Sequence, residues 1–195
     1  MNQTTSIVLA TLAARERLLL TAHRLFYRDG IRATGIDRII KEAGVTKVTF
    51  YRHFPSKNAL VLAFLAYRHT RWMAWFSESL QKNMAVDGAH LATALPQTLE
   101  TWFSNEDFRG CAFINSALEF ADTLPEVTVQ AAQHKQQMTE VIACYLPATA
   151  PSFLAQAIAL LVDGAIVNAQ MGGENRQDGA LLTAALSRWL TPCAC

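Results

Sequence analysis

The sequence predicts an all-α protein of about nine helices, divided into a small N-terminal domain at residues 1–57 and a larger helical domain at residues 58–195. Three observations lead there. Apolar residues recur three and four apart in segment after segment, and no stretch alternates apolar and polar as a half-buried strand does. Hydrophobic residues make up 51% of the 195 and charged residues only 17%, so much apolar surface must be hidden in a core, a pocket or a subunit interface. The net charge of +1 is also unevenly spread. Residues 1–57 carry ten Lys and Arg against four Asp and Glu, whereas residues 58–195 carry seven against twelve. A basic first part suits contact with a polyanion and an acidic second part does not, although solvated surface charge alone would give the same split.

The first helix is expected from Arg15 to Arg28, with Leu18, Ala22, Leu25 and Phe26 as its buried stripe and Asp29–Gly30 as its end. A helix-turn-helix follows over residues 35–54. Ile36, Ile39, Ile40 and Ala43 fall on one face, and Gly44 comes next, where a left-handed residue closes a helix and reverses the chain. Thr46 is placed to cap a second short helix, Lys47 to Phe54, by accepting a bond from a free backbone N–H. Phe50 and Phe54 share its inner side, leaving Lys47, Thr49, Tyr51, Arg52 and His53 more or less outward. Two short helices at a sharp angle, the second polar, basic and aromatic outside, form the plan by which such a motif reads a major groove. Thr34, just ahead of it, is expected as an N-cap or a phosphate contact.

Pro55 stops the reading helix and Ser56 is a candidate N-cap for the next. Lys57 then sits in a first turn, where the helix dipole favours negative charge. That position makes sense if an external anion is gripped by free N–H groups and the cation together; the plain alternative is an exposed lysine. Leu60, Phe64, Tyr67, Arg71, Trp75 and Leu80 trace a long helix to Lys82. Further helices are expected at Leu91 to Ser104, Cys111 to Ala121, Val127 to Leu146, Ser152 to Met171 and Gln177 to Leu190, with turns at Asp122–Pro125 and Gly172–Gly173 among the breaks.

The run from Arg15 to Lys57 resembles the N-terminal domain of the TetR family of bacterial transcriptional regulators. The matching features are LLLTAHRLF in the first helix, Gly30, IDRIIKEAGVTKVTFYRHF across the next two, and PSK opening the fourth. GCAFINSALEF, a Gly-Cys pair with an acidic residue eight on, is similar to one broad subgroup of the family's C-terminal domains. Carried over by position, Lys47, Thr49 and Val48 would reach base edges, while Thr34, Thr46, Tyr51, His53 and Lys57 would hold phosphates; Arg52 joins this set as an outward cation. Val48 departs from the small residue frequent in the family, and could touch a thymine methyl or merely pack on the duplex. The resemblance implies a homodimeric repressor on a palindromic DNA operator, released when a small effector moves the fourth helix.

The last two helices look built for pairing. Ala155, Ala157, Ala159, Gly164, Ala165 and Ala169 leave one small-sided, and Leu181, Leu182, Ala185, Leu186 and Trp189 give the other an apolar stripe. The resemblance implies that they form a four-helix dimer interface; an intramolecular core would need the same residues. Helices four to seven hold Trp72, Trp75, Phe76, Trp102, Phe103, Phe113, Phe120 and Tyr145, with the polar His69, Asn115, Glu119 and His134 between them. Such walls describe a pocket for an apolar or aromatic effector, or an ordinary core.

Cys111 follows Gly110 at an expected helix start, beside Arg109, so a redox or electrophile sensor competes with a buried apolar residue. Cys193 and Cys195 lie on the tail, and the four cysteines have no zinc-site spacing. No Gly-rich phosphate loop, HExxH, nucleophile motif or cofactor signature is present, which argues against an enzyme. A helical interaction module binding protein through its basic face is the reading from another class. Phe153 to Val167, the longest apolar candidate, is broken by Gln156, Asp163 and Gly164, so no membrane span is expected. Ile7 to Ala14 has no Lys or Arg before it, unlike a secretory signal. The expected location is the cytoplasm.

Overall fold

A computed structural model describes residues 12–120, 122–172 and 178–190. Among these residues it contains nine helices and no strand: α1 Ala14–Asp29, α2 Ile36–Ala43, α3 Lys47–His53, α4 Lys57–Met84, α5 Leu91–Phe103, α6 Ala112–Phe120, α7 Pro125–Ala143, α8 Leu154–Met171 and α9 Asp178–Leu190. The expected all-α class and the helix order are observed. Ala121, Gly173, Gln177, Cys193, Cys195 and residues 7–11 lie outside the described residues. Helix α7 starts at Pro125 rather than Val127, since proline has no N–H to lose in a first turn and its φ already suits a helix.

The chain packs as two compact units. One holds the described residues up to His69 together with Ala112–Ala131; the other holds Thr70–Cys111 and the described residues from Ala132 onward. The division expected from the sequence falls after Lys57. Packing instead adds the first three turns of α4 and all of α6 to the N-terminal helices.

In the first unit Leu18, Thr21, Ala22, Leu25 and Phe26 form the inner stripe of α1. Phe26 meets Phe64 of α4 edge-on at 5.5 Å. Gly44 has φ +62, and its N–H closes α2 on the carbonyls of Ile40 and Lys41; a left-handed residue there turns the chain toward α3 without the strain a side chain would add. Arg17 reaches the carbonyls of Ala43 at 3.1 Å and Gly44 at 3.4 Å, supplying donors to a helix end that has none. Thr46 caps α3 as expected, its Oγ1 accepting from Thr49 N at 3.1 Å. Ser56 does the same for Ala59 N in the next helix, also at 3.1 Å. Thr34 is not the N-cap of α2; Gly35 holds that position and lends no side chain.

In the second unit α9 packs on α5 and α8. A Cβ on Gly179 would come within 1.8 Å of Glu100 Oε1, so any larger residue there requires the flexible Glu100 side chain to move aside. Asn83 at the end of α4 donates to Thr98 of α5 at 2.9 Å. Helix α8 is long and apolar enough, by length and composition, to cross a membrane. Its Leu154, Ile158, Val162 and Ile166 are buried in the protein, however, and its Asp163 pairs with Lys135. These are properties of a core helix. The residues that traced α4 in the sequence do not all face inward. Trp72, Phe76 and Leu80 are buried, while Arg71 is exposed and Trp75 half-buried, because a 3.6-residue period carries 72, 76 and 80 to the side that 71 and 75 leave.

Candidate nucleic-acid interface

Helix α3 rests on Phe50 and Phe54, which are 0% and 3% exposed. Both rings point into the first unit, so the opposite side of this seven-residue helix faces solvent. Val48 is 70% exposed and Tyr51 44%. Lys47 and Arg52 are exposed, Thr46 is exposed at the cap, and Thr49 and His53 are half-buried. Tyr51 stands edge-on to Phe50 at 5.1 Å, which leaves its ring braced from below. Thr46 Oγ1 and Thr49 Oγ1 lie 2.9 Å apart, so these hydroxyls steady each other at the start of the helix.

The basic excess of this unit has two fates. Arg24 pairs with Glu42 at 2.5 Å, and Arg38 with both Glu42 and Asp29 at 2.9 and 2.8 Å. Arg28 donates to both Asp29 carboxylate oxygens, at 2.6 and 2.8 Å. Arg28, then Arg38, hold the Asp29 carboxyl below its ordinary 3.8, at about 2. Arg24 and Arg38 likewise lower that of Glu42. Arg24 and Arg38 tie α1 to α2. Lys41, Lys47 and Arg52 are exposed cations outside those pairs.

Two residues expected to hold phosphate are turned inward. Thr34 is 0% exposed, and its hydroxyl donates to the Gly30 carbonyl at 2.8 Å. It therefore closes the α1–α2 connection and presents no surface to a phosphate. Lys57 is half-buried, and its amine donates to the Ile31 carbonyl at 2.6 Å. The sequence shows a lysine at a helix start but not that a carbonyl 26 residues back lies within its reach.

Residues 18–64 match the family described as bacterial regulatory proteins, tetR family, the stretch from α1 into α4 that carries α3. Over that stretch the chain is of the TetR type. It is 29% identical over 131 residues to the HTH-type transcriptional regulator YvkB of Bacillus subtilis, covering 67% of this chain and 65% of that one. It is 28% identical over 108 residues to the HTH-type transcriptional repressor NemR of Escherichia coli, covering 55% and 54%. The chain thus spans less than two thirds of the length of these curated relatives. A TetR-family transcriptional regulator of solved structure from Streptomyces coelicolor is similar over 91% of this chain and 92% of its own, with 29% identity and a TM-score of 0.70. These TetR-type relatives are regulators, not enzymes.

Outside the TetR-type head, the second unit gathers part of the expected pocket set. Trp72, Trp75 and Trp102 form a triangle with ring centroids 5.5 to 6.1 Å apart. Phe76 stacks on Trp72 at 4.8 Å, His134 meets it edge-on at 5.0 Å, and Phe103 flanks Trp102 at 6.0 Å. The indole N–H of Trp72 is buried with no acceptor among the described residues. Asn115, Glu119 and Phe120 belong to the first unit. Glu119 is already engaged there by backbone N–H groups of Ile31 and Arg32, and Phe120 by the Arg32 guanidinium.

The expected interface residues also divide. Ala155, Ala159, Ala165, Leu182 and Leu186 are buried inside the protein, so the intramolecular reading holds for these. Gly164 is exposed, and a Cβ there would meet nothing within 4 Å. Leu160, Leu181 and Trp189 are 73%, 65% and 47% exposed. A groove of about 290 Å³ runs between α8 and α9, lined by Leu160, Leu161, Gly164 and Leu181 with Asn168 and Asp178. Leu160, missed from the sequence, is recoverable from it, since it lies four residues before Gly164. Cys111 is 3% exposed, and the Arg109 guanidinium is directed to the carbonyls of Glu106 and Phe108. The buried apolar reading accounts for this thiol.

Proposed function

We propose that this TetR-type chain is a cytoplasmic transcriptional repressor that binds a palindromic DNA operator as a homodimer and is released by a small effector. The observation that carries the reading is the outer face of α3, where Val48, Tyr51, Lys47 and Arg52 are exposed above the buried Phe50 and Phe54. Lys47, Val48 and Thr49 are assigned to base edges, and Thr46, Tyr51, Arg52 and His53 to phosphates. A single short helix seldom supplies operator affinity alone, and two copies related by a two-fold read two half-sites one helical turn apart. Leu160, Gly164, Leu181 and Trp189 supply an exposed apolar face suited to the pairing. The name of NemR as a repressor favours repression over activation.

The effector is assigned to the tryptophan cluster, as an apolar or aromatic compound carrying an acceptor for the Trp72 N–H. A buried donor without an acceptor costs about 1–3 kcal/mol, which such a group would recover. To release DNA it must prefer the non-binding arrangement of the dimer by a few kcal/mol. The test is selection of bound duplexes from a random library, followed by a screen for compounds that release them. Trp72, Trp75 and Trp102 are three of the four tryptophans, so a true effector is also expected to change intrinsic fluorescence. No enriched duplex, or only salt-dependent binding without preference, would defeat the reading.

A further inference from the structure

The connection between α1 and α2, residues 30–35, is held from several directions by polar groups. The Glu119 carboxylate, at the end of α6, accepts from the backbone N–H of Arg32 at 2.8 Å and of Ile31 at 3.4 Å. The next residue, Phe120, lies under the Arg32 guanidinium, 5.7 Å from ring centroid to carbon. From the first turn of α4, Lys57 takes the Ile31 carbonyl at 2.6 Å. Within the connection Thr34 donates from its hydroxyl to Gly30 O and from its N–H to Ile31 O. Ile31 itself is 2% exposed. Both polar groups of its backbone are therefore committed, the donor to α6 and the acceptor to α4.

All of these residues belong to one compact unit. Hydrogen bonds to a carboxylate are shorter and stronger than neutral ones. A pair of them on adjacent N–H groups also fixes direction, because both donors must point at one side chain. Any rotation of the connection relative to α6 breaks at least one bond. The connection leads directly into α2, whose first residue is Ile36, and α2 carries the turn that aims α3.

We propose that Glu119 is a positioning residue for DNA binding: it fixes the α1–α2 connection on α6, so that operator affinity depends on a carboxylate outside the reading helix. This rests on the reading of the chain as a DNA-binding protein. It also gives Glu119 a role other than lining an effector pocket, since its oxygens are already engaged by the backbone.

The full chain is compared with Glu119→Ala and Glu119→Gln for binding to a library-selected duplex and to a random one, and for hydrogen exchange at the Ile31 and Arg32 amides. Plain electrostatics says that removing a negative charge tightens binding to any duplex. The proposal requires the opposite on the selected duplex, a loss of about tenfold with Ala, while the random duplex is held as well or better. Gln keeps one acceptor oxygen, enough for one of the two N–H groups but not for both, and is expected to fall between the native chain and Ala. Both amides should exchange faster with Ala than with Gln. If Ala fails to fold, Glu119→Asp, one methylene too short, takes its place with the same expectation. Unchanged exchange at both amides, or an undiminished selected-duplex affinity, overturns the proposal. A native chain with no preferred duplex removes the functional reading and the proposal with it, and the exchange rates then still tell whether the Glu119 contacts exist.

Discussion

The Lys57 ammonium lies 2.6 Å from the Ile31 carbonyl oxygen, joining the first turn of α4 to the chain that leaves α1. Burial lowers the lysine pKa from its ordinary 10.5, and the Glu119 carboxylate works against that shift. Charge, carbonyl and carboxylate thus sit together at the root of the helix-turn-helix. A lysine that spends its amine in this way stabilises the head more than it attracts a phosphate.

Lys57→Met keeps the apolar stem and removes the donor. The expected result is a loss of about 1–2 kcal/mol in stability, read by thermal melting, with little change in the salt dependence of duplex binding. A salt slope lower by about one unit would return Lys57 to the phosphate contacts.

The arginine pairs at Asp29 and Glu42 predict how the head responds to acid. Both carboxyls are held below their ordinary values of 3.8 and 4.5, Asp29 at about 2. A carboxylate depressed in the folded state contributes stability that is complete above its unfolded pKa and lost as pH falls through the folded one. Helicity-monitored melts are therefore expected to fall as pH drops from about 4.5 toward about 2. Asp29→Asn should flatten the lower part of that fall. An equally steep fall in the variant would remove Asp29 from the account.

Val48 is 70% exposed at the tip of α3, and its two methyl groups suit a thymine methyl. Val48→Gly should weaken the selected duplex by about 1–2 kcal/mol, on the scale of about 0.8 kcal/mol per buried methyl-sized group. Replacing the facing thymine by uracil should cost the native chain a similar part and the variant almost nothing. Equal losses in both would mean that Val48 packs on the duplex without reading it.

Leu160 and Leu186 separate the two roles of the last helices. Leu160 is 73% exposed and Leu186 0%. Leu160→Glu should give a folded monomer by sedimentation at micromolar concentration, where the native chain is expected to be a dimer. Leu186→Ala should instead lower stability by about 2–5 kcal/mol, because it leaves a cavity. A dimer that survives Leu160→Glu would move the interface off this face.

The helix-turn-helix was legible from the sequence because its signals are local. Ile36 to Ala43, Gly44 and the Thr46 cap lie within eleven residues, and each acts on its own backbone or the next turn. The long apolar periodicities placed the later helices for the same reason, with ends shifted by up to three residues. The inward turn of Thr34 was beyond this reading, as was the Lys57 contact. So was the division of the aromatic and polar set between two units, with Glu119 on the Ile31 and Arg32 backbone.

What the sequence by itself determined was the helix inventory, the reading motif and its TetR-type pattern, since backbone geometry and capping act over one or two turns. Only the tertiary structure decided which residues of a helix face inward when both faces are apolar. It buried Ala155, Ala159, Ala165, Leu182 and Leu186 and left Leu160, Gly164, Leu181 and Trp189 outside. A stripe of small and apolar residues fits a core and an interface equally well, and only the elements packed against it determine which side is covered.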